Sequence, residues 1–235
     1  MDVQFAVAKI KKYASSESGD TLEMVERPHG GLSLVLVDGQ RSGRSAKLIS
    51  NVVARKAIQL LSEGVRDGAA ARAAHDYLYA YRGGKVSATL NIISIDAVTN
   101  TIVISRNNDS PVLIHSEDAG VQLLDAPSRS VGVHRNTKPV INEISLTPGV
   151  VITAFTDGLR HAGSLNSNGR YDFEASFRRL MSEGKFAARD IADTMLAEAM
   201  ALENGRPRDD ISVLVVSVSE GHGDMVRRMG GHLPV

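Results

Sequence analysis

Three aspartate sites sit at the ends of apolar runs. Asp38-Gly39 closes the run 32–37, Asp157-Gly158 closes Val150–Thr156, and Asp209-Asp210 opens Ile211–Val218. Apolar runs of this length, bounded by turn signals, read as strands. A strand end lets a side chain leave the core for a cleft while its backbone stays rigid. If the three strands are neighbours, their carboxylates converge. Carboxylates gathered without His or Cys suit hard divalent cations such as Mg²⁺ or Mn²⁺. Without a cation they repel one another and take up protons. The Gly after Asp38 and after Asp157 suits a tight turn and lets a backbone carbonyl approach an ion. Two such ions ~3.5–4 Å apart can hold a hydroxide and clamp a phosphate for in-line attack. Asp-Gly after a strand is also an ordinary turn that turn chemistry explains unaided. The residues alone leave both readings open.

The elements that must position these aspartates follow from periodicity. Segments 2–9, 22–26 and 32–37 read as strands. From Ser42 the apolar positions Ala46, Ile49, Val53, Ala57, Leu60 and Leu61 recur at three and four, which predicts a helix ending near Gly64. A second helix is predicted over 68–82, with Ala70, Ala73, Ala74, Tyr77, Leu78 and Tyr81 on its inner face. Strands follow at 87–96, 101–106 and 111–115, an irregular stretch with room for one short strand at 117–137, then strands at 140–146 and 150–156. The polar segment 161–172 reads as a loop, 173–183 and 187–203 as helices, and 211–218 as the last strand. Short turns between successive strands imply antiparallel pairing. Grouped helices beside such sheets imply an α+β fold, with two antiparallel sheets each covered by a helical pair. Residues 1–220 read as a single domain and the glycine-rich 221–235 as a flexible tail.

Composition narrows the class. Hydrophobic residues make up 43% of the 235-residue chain and aromatics 4%, so the core must be aliphatic. Lys plus Arg equals Asp plus Glu at 27 each, a poor basis for nonspecific nucleic-acid binding. No cysteine is present, which excludes disulfides, zinc–thiolate sites and iron–sulfur clusters. The N-terminus has Asp2 where a signal peptide carries basic residues, and Gln4 and Lys9 break its apolar stretch. The longest apolar runs fall far short of the ~20 residues needed to span a bilayer. A cytoplasmic protein with no membrane partner is expected.

Five short motifs occur in order: Ser18-Gly19-Asp20, Asp38-Gly39-Gln40-Arg41-Ser42-Gly43, Ala88-Thr89-Leu90, Thr156-Asp157-Gly158-Leu159 and Asp209-Asp210-Ile211-Ser212. With them the chain resembles the PPM-type, or protein phosphatase 2C-like, serine/threonine phosphatases. Within these it is most similar to the bacterial branch of the sporulation stage II E phosphatase and the stress-response phosphatases RsbU and RsbX. The resemblance runs from about Ser18 to Val218. It implies a four-layer αββα sandwich and hydrolysis of phosphoserine or phosphothreonine by a metal-bridging hydroxide, with two or three Mn²⁺ or Mg²⁺ ions. By the same resemblance Asp38 bridges two ions, the Gly39 carbonyl binds one of them, Asp157 and Asp209 complete the other site, and Asp20 acts mainly through water. The implied partner is a bacterial phosphoprotein, such as a phosphorylated anti-sigma-factor antagonist or a stressosome protein, acted on by a stand-alone catalytic domain.

The chain departs from the pattern at two positions. Gln40 stands where some relatives carry a His that serves as general acid. Arg41 replaces a motif glycine, which costs about 1 kcal/mol or more if the position takes φ > 0. Arg41 is a candidate phosphate contact, since a guanidinium suits bidentate binding. An exposed arginine at a helix start is the plainer account. Asn108 and Asp109, in the turn Arg106–Pro111, either orient groups near the site or simply form a turn. The seven histidines show no ligand-like spacing and read as surface residues, with His161 nearest the cleft. Tyr77, Tyr79 and Tyr81 read as packing residues. The alternatives are a catalytically inactive binding module of the same fold and a hydrolase of small phosphate esters.

Overall fold

The computed structural model describes residues 1–165, 169–221, 223, 225–232 and 234. In chain order the elements are β1 (Asp2–Ile10), β2 (Asp20–Glu26), β3 (Leu32–Gly39), α1 (Gly43–Ser62), α2 (Asp67–Arg82), β4 (Ala88–Asp96), β5 (Thr101–Asn107) and β6 (Val112–Ser116). They continue with β7 (Gly120–Leu124), β8 (Val140–Ser145), β9 (Val151–Phe155), α3 (Asp157–His161), α4 (Phe173–Ser182), α5 (Ala188–Leu202) and β10 (Ile211–Ser219). The strands form two five-stranded sheets, ordered β1-β10-β9-β6-β7 and β2-β3-β4-β5-β8. Every pairing of these strands is antiparallel, including that of β1 with β10, which joins the two ends of the fold.

Alternation along each strand gives every sheet two apolar faces, and the molecule buries them in three layers. Leu34, Leu36, Ile93, Ile104, Ile152, Leu214 and Val216 meet between the sheets. Phe155, Val213 and Val215 pack under α4 and α5 through Phe177, Leu180, Ile191 and Met195. Val35, Val37, Leu90 and Ile92 pack under α1 and α2 through Ile49, Val53, Ala57, Ala74 and Leu78. The result is the αββα sandwich. The apolar face of α1 is core, as its period implied.

At one end the inner layer changes character. Residues two apart share a strand face, so the face that carries Leu22, Leu36, Ile93, Ile104, Ala154 and Leu214 next presents Asp20, Asp38, Asn91, Arg106, Thr156 and Ser212. The register makes Asp20 the partner of Asp38 and Asn91 the partner of Arg106. An aliphatic core thus ends in a polar floor between the two sheets.

Three sequence expectations need correction. Asp157 opens a short helix, α3, that takes in His161, where the loop was expected to begin. Tyr77 and Tyr81 are not packing residues: they are 48% and 60% exposed and stack on each other. The apolar stripe of α2 is instead made by Ala70, Ala71, Ala74 and Leu78, joined by His75. His75 is not a surface residue but is buried, its Nδ1 accepting a bond from the Gly132 N–H at 2.9 Å. A lone His inside an alanine-rich stripe carries no pattern that announces a buried acceptor.

Candidate active site

Asp38, Gly39, Arg41, Asp157 and Asp209 line one cleft of about 410 Å³, together with Lys12, Gln40, Ser87, Thr89 and Ser130. Asp38 comes from the end of β3, Asp157 from the first turn of α3 after β9, and Asp209 from the approach to β10. Asp20 is not on the cleft wall. It is fully buried beneath it, across the β2–β3 register from Asp38. His161 is exposed and does not line the cleft.

The two Asp-Gly glycines are required for a reason other than turn geometry. Neither has a positive φ. A Cβ on Gly39 would lie 2.1 Å from the Ala46 carbonyl oxygen, and one on Gly158 would lie 2.0 Å from that of Asp210. Real Cβ atoms do not approach so closely, so each glycine lets two backbones touch beside an acidic residue. Gly39 seats α1 against the end of β3. Gly158 seats α3 against the start of β10, which brings Asp157 towards Asp209.

Hydroxyls fix Asp20. Its Oδ2 accepts from Ser212 Oγ at 2.6 Å and from Thr156 Oγ1 at 3.1 Å, both reaching over from the opposite sheet. Thr156 Oγ1 in turn accepts from the Ser212 N–H at 3.0 Å. The other carboxylate oxygen, Oδ1, is buried without a partner. On the main chain, Lys9 Nζ and Lys47 Nζ both donate to the Asp20 carbonyl, at 2.6 and 2.7 Å. Asp210 does not line the cleft as Asp209 does. It accepts from the N–H groups of Lys12 and Gly19, both at 2.8 Å, and so ties the segment before β2 to the start of β10.

Thr156, Ser212 and Asp210 were visible in the motifs but had no role assigned. Their signal is the hydroxyl or acid that each motif carries beside its cleft aspartate. Lys9 and Lys47 had no sequence signal, because they reach Asp20 from elements remote in the chain.

The electrostatics are those of crowded like charges. Burial first, then the charges of Asp20, Asp157 and Asp209, push the Asp38 carboxyl up to about 10. Burial pushes Asp20 up to about 6, opposed by the Ser212 hydrogen bond. Burial at the cleft wall and then the charge of Asp157 raise Asp209. Each raised carboxyl would ionise more readily beside a cation.

These residues fit a hard divalent cation. The donors are carboxylates, a backbone carbonyl and hydroxyls, with one buried carboxylate oxygen still unpaired. Among the described residues no three His, Cys, Asp or Glu side chains close into a ready-made cage. An open set with few protein ligands suits Mg²⁺ or Mn²⁺, ions that keep part of their coordination for water and phosphate.

Gln40 and Arg41 are now placed. The Gln40 backbone N–H and side-chain Oε1 both bond to the main chain of Ser87, at 3.0 Å each, so this side chain extends the β3–β4 pairing. Arg41 has φ 82°, the left-handed conformation that the motif glycine would adopt without strain.

Two antiparallel sheets between helical pairs, with aspartates at one end, define the PP2C-type phosphatase fold. The chain belongs to the stage II sporulation protein E (SpoIIE) family, whose model matches residues 28–219. The PP2C phosphatase domain of SpoIIE from Bacillus subtilis, solved with a fragment of its regulatory domain, superposes with a TM-score of 0.79 at 21% identity. That match covers 93% of this chain and 64% of that one. The RsbU and RsbW domains of Rv1364c from Mycobacterium tuberculosis match with a TM-score of 0.72 at 19% identity, covering 92% of this chain and 60% of that one. This chain therefore spans less than two thirds of either of those chains. The catalytic domain of the serine/threonine protein phosphatase PstP in complex with two manganese ions matches with a TM-score of 0.66 at 16% identity, covering 93% and 99%. No curated protein sequence matches the chain. No helix among the described residues is long and apolar enough to cross a membrane.

Proposed function

We propose that the protein is a metal-dependent serine/threonine phosphoprotein phosphatase of the cytoplasm. The carrying observation is the convergence of Asp38, Asp157 and Asp209 on one cleft above the buried Asp20, where burial raises Asp38, Asp20 and Asp209. A carboxylate cluster held at this electrostatic cost is a cation site in waiting. In this reading Asp38 and the Gly39 carbonyl hold one Mn²⁺ or Mg²⁺, with Asp20 behind them. Asp38, Asp157 and Asp209 hold another, and the open cleft leaves room for a third. Bound there, the cations supply Lewis-acid charge that offsets the carboxylates and activates water for attack at phosphorus.

The chain's own residues do the positioning. Ser212 and Thr156 orient Asp20, and Gly39 and Gly158 bring the acidic ends together. Arg41 and Lys12, cations lining the same cleft, receive the phosphate that the carboxylates alone would repel. Among the described residues no histidine lines the cleft, and the Gln40 amide is too weak an acid to serve. The departing serine or threonine oxygen therefore takes its proton from water.

The substrate we favour is a regulatory phosphoprotein, such as a phosphorylated anti-sigma-factor antagonist or a stressosome protein. The structural neighbour that joins RsbU to RsbW supports that choice. The test is hydrolysis of p-nitrophenyl phosphate and of phosphorylated casein with MnCl₂, with EDTA, and by Asp38→Asn and Asp157→Asn. Manganese-dependent release that both substitutions abolish supports the proposal. A folded protein that binds manganese without turning over either compound overturns it and leaves an inactive binding module. Turnover of p-nitrophenyl phosphate alone points to a hydrolase of small esters.

A further inference from the structure

The segment 125–139, between β7 and β8, contains no helix or named strand, yet its Ser130 lines the cleft. Irregular chain of that length must find partners for its backbone polar groups outside itself. Three of them come from the last two residues of β5, while Val131 exchanges two bonds with Ala88 and the Gly132 N–H donates to His75. Arg106 is 1% exposed and makes no ion pair among the described residues. Its guanidinium donates to main-chain carbonyls instead: Nη2 to Ala126 at 2.5 Å, and Nη1 to Asn108 at 2.9 Å and Ser110 at 3.4 Å. Asn107, also 1% exposed, donates through Nδ2 to the carbonyls of Arg129 at 2.9 Å and Lys138 at 3.2 Å. Ser128 Oγ returns a bond to the Arg106 carbonyl at 2.5 Å. The start, middle and end of the segment are thus pinned to two adjacent side chains.

The same turn grips the opposite side of the cleft. Asn108 Nδ2 donates to the Phe155 carbonyl at 3.4 Å, just before Thr156-Asp157, and Arg160 of α3 donates to the Asp109 carbonyl at 2.8 Å. A buried guanidinium carries a heavy desolvation penalty. Its planar guanidinium holds five N–H donors in a rigid fork, and here the fork reaches carbonyls in two directions at once.

We propose that Arg106 and Asn107 are positioning residues that set the cleft wall formed by 125–139, and through it the fit of a phosphorylated protein chain. Neither side chain donates to the acidic cluster; both donate to main-chain carbonyls. The inference that the wall selects macromolecular substrate rests on the phosphatase reading above; the anchoring itself does not.

The experiment compares wild type with Asn107→Ala, Arg106→Met and Arg106→Lys, keeping the variants that melt cooperatively. Limited trypsin digestion reports cutting after the exposed Arg129 and Arg135. Freeing the anchors should speed cutting in this segment about ten-fold, through local opening without global unfolding. Arg106→Lys should behave like Arg106→Met, because it keeps the charge and loses the fork. With MnCl₂, KM for phosphorylated casein should rise about five-fold or more, while kcat for p-nitrophenyl phosphate stays within about two-fold. Equal trypsin rates in wild type and Asn107→Ala would overturn the anchoring. Parallel losses on both substrates would overturn the selective role. If wild type turns over neither substrate, the phosphatase reading fails, and the trypsin rates still decide whether the anchors hold the wall.

Discussion

Asp20 and Asp38 are register partners on the inner faces of β2 and β3, one fully buried and the other at the cleft wall. Two carboxylates on adjacent strands, directly opposite, destabilise the sheet that carries them. Asp38→Asn removes a carboxyl that folding forces to take up a proton. In EDTA this variant should melt higher than wild type, and added MnCl₂ should no longer raise its melting temperature. Thermal denaturation with and without the metal checks both, and a wild type that MnCl₂ fails to stabilise contradicts the cation site.

Metal-free stability should fall with rising pH. The folded-state values of Asp20 and Asp38 are raised, to about 6 and about 10, above their ordinary 3.8. The folded protein therefore holds more protons than the unfolded chain. This contribution is complete below pH 3.8 and is lost as pH rises, through about 6 for Asp20 and towards about 10 for Asp38. A cation displaces those protons. The gap between melting temperatures in MnCl₂ and in EDTA should widen from about pH 5.5 to about pH 8.5. A constant gap would refute the linkage.

His75 should act in the opposite direction. Burial lowers its pKa below 6.5, against the opposing charge of Asp76, and its Nδ1 must stay unprotonated to accept from Gly132. The stability that this neutral ring contributes is present above 6.5 and is lost as pH falls through the lowered folded value. Chemical denaturation should show wild type losing more stability than His75→Gln between about pH 7.5 and about pH 5.5.

Gly158→Ala forces a methyl group to within 2.0 Å of the Asp210 carbonyl oxygen. Overpacking against backbone, which cannot swing aside, should cost about 3 kcal/mol. The shift of α3 should also weaken manganese binding, because Asp157 is the preceding residue. Urea unfolding and metal titration of the variant measure the two effects.

Arg41→Gly tests the departure from the motif. Removing a side chain at φ 82° relieves strain, offset by the larger unfolded-state entropy of glycine, for a net gain of up to about 1 kcal/mol. If Arg41 meets the substrate phosphate, KM should rise about ten-fold while the melting temperature holds or climbs. An unchanged KM removes Arg41 from the substrate site.

Much of this architecture was legible in the residues because it rests on local periodicity. Short apolar runs ending in Asp-Gly, and the change to a period near 3.6 after Ser42, placed the strands, α1 and the acidic strand ends. The burial of each run on both faces then required two sheets between helices. Local pattern could not say what meets across the chain. That Ser212 and Thr156 cross from one sheet to hold Asp20, that Lys9 and Lys47 share its carbonyl, and that Asp210 rather than Asp209 ties β10 to the segment before β2 depend on register and sheet stacking. So does the role of Gly39 and Gly158, whose missing Cβ atoms matter only because another backbone lies against them. Local residue pattern fixes which side chains the strand ends and turns present. Tertiary packing decided which of them share a cleft, because like charges and hydroxyls from remote segments acquire their energies only at the distances that the fold imposes.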